Sequence, residues 1–359
     1  MVSRGSSGGG SDARRKVFLV ISTLMLSIGT TGGPLMMRLY FIHGGKRVWL
    51  SSWLETGGWP VMIIPIAIDY FHRRTTGGPT TKVITMKPHV FAMTAVIGVL
   101  TGLDDYLYAY ALARLPISTS ALITASHLGF TATFAFLLVR QKFTSYSINA
   151  VFLLTIGAGI LAMHTRGDRL HGESSREYYT GFFMLLGATS LYGLVLPLIE
   201  LMYKKAKQAI TYSLVLEVQL VMCFFATLFC TIGTITSGDF QALPEEARNY
   251  SLGEVRYWAV MVCTAIIWQF FFLGAVGVIH LSSSLFSGIV MAALLPVTEI
   301  LAVVFYREKF PFEKALSLIL SLWGFLSYFY GEIKESKKQI ESGEATVSRE
   351  DESQGPGIQ

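Results

Sequence analysis

The chain has 359 residues, of which 52% are apolar, 13% aromatic and only 15% charged, against about 25% charged in an average soluble domain. That composition excludes an ordinary soluble enzyme. A net charge of +5, scattered rather than gathered on one segment, excludes a nucleic-acid binder.

Met1 to Asp12 is rich in Gly and Ser and belongs to a stretch, 1–16, that reads as a disordered tail. A hydrocarbon core of roughly 30 Å takes about 20 apolar residues per helix. Stretches of that size run at 17–37, 49–71, 90–113, 117–139, 147–164, 178–203, 212–236, 256–279, 282–306 and 313–331. The first has no small-residue cleavage site and reads as a retained helix rather than a signal peptide. Residues 332–359 are polar with mixed charge and read as a second tail. The expected fold is an all-α membrane protein of ten transmembrane helices. Cys223, Cys230 and Cys263 fall inside these spans and are expected as buried free thiols.

Lys and Arg set the orientation. With the N-terminus in the cytoplasm, the inner segments hold 17 of the 29 basic residues. Both termini are therefore expected inside. Asn249-Tyr250-Ser251 is a glycosylation sequon in a loop that this orientation places outside, close to the eighth helix.

The chain also resembles itself. Arg140-Gln141-Lys142-Phe143 recurs as Arg307-Glu308-Lys309-Phe310, and Gly157 and Gly324 keep the same offset. Ser118-Thr119-Ser120 matches Ser282-Ser283-Ser284, and Pro34 matches Pro197. Five spans per repeat, 17–164 and 178–331 with 165–177 connecting them, force the halves into opposite orientations. That is the inverted repeat of secondary transporters, whose substrate site lies near the midplane at the repeat interface. Gly57-Gly58-Trp59-Pro60 and Pro65 interrupt the second span and Pro296 the ninth, which suits helices that line a cavity.

Acids at membrane depth are expensive and mark ion or substrate paths. Asp104 and Asp105 sit midway along the third span, and helix geometry separates their directions by about 100°. One is expected to face the cavity and the other to cap or pair nearby. Glu299, after Leu294-Leu295-Pro296, is placed to alternate between protonated and ionised forms, with Glu217 and Asp105 as rivals for the proton. Glu55 and Glu217 suit either a functional or an interface position. Glu200 reads as an ion pair with Lys204 or Lys205, and Asp69 belongs to the end of the second helix. Trp268-Gln269 offers a flat ring beside an amide that both donates and accepts. Under an offset of 164 this pair corresponds to Asp104-Asp105. That pairing suits a planar nitrogen heterocycle. Trp53 and Trp59 are placed to close the outer side, and His127, central in the fourth span, is either a packing residue or a ligand contact. Gly44-Gly45-Lys46 lacks the remaining residues of a phosphate-binding loop, and no metal-spaced His/Cys cluster or nucleophile elbow appears. No cofactor is expected. Uphill transport would draw on an ion gradient.

At these residues the sequence resembles the plant purine permease family, within the drug/metabolite transporter superfamily. Gly29-Thr30 to Gly33-Pro34, Gly102-Leu103-Asp104, Leu115-Pro116-Ile117-Ser118-Thr119-Ser120, Trp268-Gln269, Leu295-Pro296-Val297-Thr298-Glu299 and Tyr306-Arg307-Glu308-Lys309-Phe310 carry the resemblance over about 17–335. It implies ten helices in the drug/metabolite transporter fold, and proton-coupled uptake of adenine-like purines and cytokinins at the plasma membrane. Two positions depart from the family pattern. Asp105 stands where Asn is usual, and His127 where Gln is common. Ionised Asp only accepts, so Asp105 alters which ring edges can be read. The other readings are an exporter of a different metabolite or drug on the same fold, and a receptor that binds without flux. A sugar nucleotide would want Lys or Arg at the midplane, which this chain lacks. Oligomeric state is not legible.

Overall fold

The structure is a computed structural model that describes residues 8–78, 82–114, 123–124, 126–141, 143–163 and 175–306, then 322–331 and a few neighbouring positions. Among them the regular structure is helical throughout. The elements are α1 (Gly8–Ile42), α2 (Val48–Gly57), a 3₁₀ turn (Trp59–Met62), α3 (Ile63–Gly77), α4 (Pro88–Leu112), α5 (His127–Val139) and α6 (Ser145–Met163). They continue with α7 (Ser175–Lys205), α8 (Tyr212–Thr236), α9 (Asp239–Asn249), α10 (Glu254–Leu281) and α11 (Ser284–Tyr306). Residues 322–331 are helical as well.

Among the described residues six helices, α1, α4, α7, α8, α10 and α11, are long and apolar enough to cross a membrane. The helices α5 and α6 are apolar but contribute shorter described segments, and the second expected span is divided between α2 and α3. Helix α1 starts at Gly8, inside the stretch read as a tail, because Ala13-Arg14-Arg15-Lys16 are good helix formers that extend the apolar run. The connector at 165–174 and most of 332–359 lie outside the described residues. The short helix α9 was not anticipated; it fills a loop between α8 and α10. Gly238 (φ +73°) and Gly253 (φ +92°) turn the chain on either side of it, conformations that a residue without Cβ adopts at little cost.

Close packing substitutes for the hydrophobic effect between helices in lipid, so small residues mark the tightest crossings. Helix α1 runs along α10. A Cβ on Gly29 would sit 2.3 Å from the Phe271 backbone, and one on Gly274 would sit 2.2 Å from the Leu26 amide nitrogen. Helix α4 packs between α7 and α8, α5 packs on α7, and α11 packs on α1 and α5.

Both ends of the bundle are tied by polar groups. At one end Glu217 accepts from the amides of Thr85 (2.8 Å) and Met86 (2.8 Å) and from the Thr85 hydroxyl (2.8 Å). Glu200 accepts from the Ser284 amide and hydroxyl at 2.8 and 2.6 Å and pairs with Lys204 at 2.9 Å. At the other end the Tyr40 hydroxyl donates to Glu246 (2.5 Å), whose carboxylate also faces Arg47 at 3.5 Å, and the Tyr306 hydroxyl donates to the Leu35 carbonyl at 2.6 Å. Cys223 and Cys230 are buried free thiols, whereas Cys263 is exposed. It lies on the face of α10 turned away from the bundle, a side that an apolar residue in a lipid-facing helix can occupy.

A cavity walled by acids and aromatic rings

A cavity of about 150 Å³ opens among α1, α2, α4, α5, α7, α10 and α11, matching an engineered cavity of about 150 Å³ that takes up benzene. Three carboxyls line it: Glu55 at the end of α2, and Asp104 and Asp105 on α4. Their residues are 3%, 8% and 3% exposed. Glu55 Oε1, Asp104 Oδ1 and Asp105 Oδ2 are buried with no hydrogen-bond partner among the described residues. The three lie near enough for Asp104 and Asp105 to repel Glu55. No Lys or Arg is among the described residues of the lining. A charge taken out of water without a partner costs several kcal/mol, so this cluster calls for protons, a donor-rich ligand, or both. It does not converge into a group that could hold a metal ion among the described residues.

The same lining carries a relay of rings. His127 and Tyr192 lie 5.1 Å apart between centroids, Tyr192 stacks on Phe271 at 5.9 Å and 26°, and Trp268 meets Phe271 edge-on at 5.1 Å. Trp268 is 6% exposed, and its indole Nε1 has no partner among the described residues. The indole rests on Gly33 of α1, where a Cβ would come within 2.9 Å of the ring. Two prolines add backbone acceptors. Pro34 and Pro296 have no amide, which leaves the carbonyls of Thr30 and Ala292, both lining residues, without their intrahelical donor. The chamber thus offers flat faces, acceptors in excess and few donors.

Of the residues singled out in the sequence, Asp104, Asp105, Glu55, Trp268 and His127 meet at this cavity. Both aspartates face it, not one alone. His127 Nε2 is also hydrogen-bonded to Thr131 Oγ1 at 3.2 Å. Four others lie off the lining. The Gln269 amide is engaged by Thr56 and Gln219. Trp53 donates through its indole nitrogen to Thr231 at 3.0 Å and meets Phe240 edge-on, and Trp59 meets Phe224 edge-on. Glu217 is engaged by Thr85 and Met86 at one end of the bundle. Glu299 belongs to α11, and its side chain lies outside the described residues. Tyr192, Phe271 and Thr30 line the cavity without having been singled out. The run Phe270-Phe271-Phe272 after Trp268 was a usable signal for the second, while Tyr192 carries no mark in its neighbours.

A multi-pass bundle with such a cavity among its helices has the build of a membrane transporter. A family profile described as purine nucleobase transmembrane transport matches residues 17–338. The chain is 52% identical over 334 residues to Purine permease 3 of Arabidopsis thaliana, covering 92% of this chain and 95% of that protein. It is 49% identical to Purine permease 2 of the same plant, covering 90% and 94%. The chain belongs to the plant purine permease family. A solved crystal structure, 13% identical, superposes with a TM-score of 0.61 over 87% of this chain and 98% of that one; that likeness speaks to the fold alone.

Proposed function

We propose that this protein is a proton-coupled importer of purine bases and adenine-derived cytokinins at the plasma membrane, with both termini in the cytoplasm. The observation that carries the reading is the cavity itself. Three buried acids, with no Lys or Arg among the described lining residues, share the cavity with a set of aromatic rings. A purine ring stacks on Trp268 and the neighbouring rings, while its N–H edge donates to Asp104 or Asp105. The acids repel one another, so a proton entering from outside relieves the repulsion, and its release inside restores it. Binding of substrate and of proton is thereby linked. Asp105 and Glu55 serve this role from the cavity wall. Glu299 is retained as a proton-linked candidate on the strength of its place in α11, beyond Pro296. Glu217 is assigned to anchoring the segment before α4.

We read the architecture as two inverted five-helix repeats. Exchanging first-half for second-half helices turns the pair α1 and α10 into α7 and α4, the pair α11 and α1 into α5 and α7, and the pair α8 and α4 into α2 and α10. All six contacts are present, which supports the reading. The cavity lies between the two sets, where rocking of one against the other gives alternating access.

Uptake of labelled adenine into proteoliposomes is expected to rise as external pH falls and to collapse when a protonophore is added. An N6-substituted adenine of the cytokinin type is expected to compete. Flux that ignores both the pH gradient and the protonophore removes the coupling. Binding without flux replaces the transporter by a receptor.

A further inference from the structure

We infer that Gln269, read from the sequence as a ligand contact, is a positioning residue that holds the break in α2 and thereby fixes Glu55 at the cavity wall. The inference rests on the reading of Glu55 as one of the working acids. Gln269 is 2% exposed and stands off the cavity lining. Its amide nitrogen donates to the Thr56 carbonyl at 3.2 Å, and its amide oxygen accepts from Gln219 Nε2 at 3.2 Å. Gln219, wholly buried on α8, also donates to Cys223 Sγ at 3.2 Å. In a continuous helix the Thr56 carbonyl would accept from the amide of residue 60, but that residue is Pro60 and has none. Gln269 supplies a donor there, beside the Gly58 amide in the tight turn. One turn away on α10 the Ala265 carbonyl presses on Gly58 so closely that a Cβ would lie 2.2 Å from it. On the α8 side Thr227 donates to the Thr56 hydroxyl at 3.1 Å. Every one of these grips falls within three residues of Glu55, whose carboxyl oxygen Oε1 is buried with no hydrogen-bond partner among the described residues. The titratable groups facing Glu55 are Asp104 and Asp105 on α4, Tyr192 on α7 and Cys230 on α8, with His127 of α5 on the same lining.

The test uses the full chain in proteoliposomes, with labelled adenine uptake followed across external pH. Gln269→Met keeps the shape and removes the polar atoms. It is expected to lower the maximal rate at least about tenfold and to flatten the pH profile, with KM moved by less than about threefold, as fits loss of a buried hydrogen-bonded bridge that does not touch substrate. Gln269→Glu, which when protonated again both donates and accepts, is expected to recover rate at low pH. In a Glu55→Gln background Gln269→Met is expected to add no further loss. A raised KM alone in Gln269→Met returns the residue to ligand contact and overturns the inference, as do losses that multiply in the double variant. Glu55→Gln with wild-type uptake and pH dependence overturns the reading of Glu55 instead, whatever Gln269→Met does. Should Gln269→Met fail to reach the membrane, Gln219→Met removes the other leg of the bridge and carries the same expectations.

Discussion

Gly33 has no side chain, and that vacancy on α1 is where the Trp268 indole lies flat. The ring is held by this bed and by Phe271, it lines the cavity, and its Nε1 has no partner among the described residues. Stacking a base on an aromatic side chain is worth about 1–3 kcal/mol by alanine substitution. Trp268→Ala is therefore expected to weaken adenine binding by about 5-fold to 150-fold, measured by equilibrium binding to purified protein at matched surface expression. Trp268→Phe keeps a ring and is expected to lose much less; equal losses in the two would overturn stacking as the source of the affinity. The residue types at this site were legible because acids and a Trp in the middle of apolar helices stand out by cost alone. Gln269 looked equally suitable, since its type shows that its amide must be satisfied but not by whom. Only the position of Thr56 across the helix boundary settles that.

The seam between α1 and α10 is an element-scale device. Gly29 and Gly274 let the two backbones meet along a stretch that includes Leu26 and Phe271. A branched side chain at Gly274 meets the backbone and Cβ of Leu26, which cannot swing aside, and overpacking of this kind costs about 1–3 kcal/mol or more. Gly274→Leu is expected to lower the Tm of detergent-purified protein, and with it the yield, while Gly44→Ala, at a loop position with open space around its Cβ, strains only its own backbone (φ +114°). A Gly274→Leu protein as stable as the wild type would show that the crossing is looser than drawn. The break between α2 and α3 was readable from Gly57-Gly58-Trp59-Pro60, because two residues without helix propensity followed by one without an amide leave little alternative. Helix α9 was not, since Asp239–Asn249 is too short and too polar to stand out among membrane spans.

At the scale of the whole molecule, an all-helical membrane bundle could be anticipated from the apolar lengths, while which helices pack together required the structure itself. The same scale governs selectivity by charge. A chamber with three acids and no Lys or Arg among the described residues of its lining disfavours a phosphate however well the attached ring would stack. Adenine is expected to inhibit labelled adenine uptake, whereas AMP at a hundredfold excess is expected to leave it unchanged, as scored in a competition assay; inhibition by AMP would mean that a cation outside the described lining reaches the site. For a protein that imports purine bases, as proposed, this acidic lining has a consequence for cell metabolism. Once a phosphoribosyl transferase inside the cell has turned such a base into a nucleotide, the product no longer fits the route by which the proposed import brought it, and accumulation is enforced by the enzyme downstream as much as by any gradient.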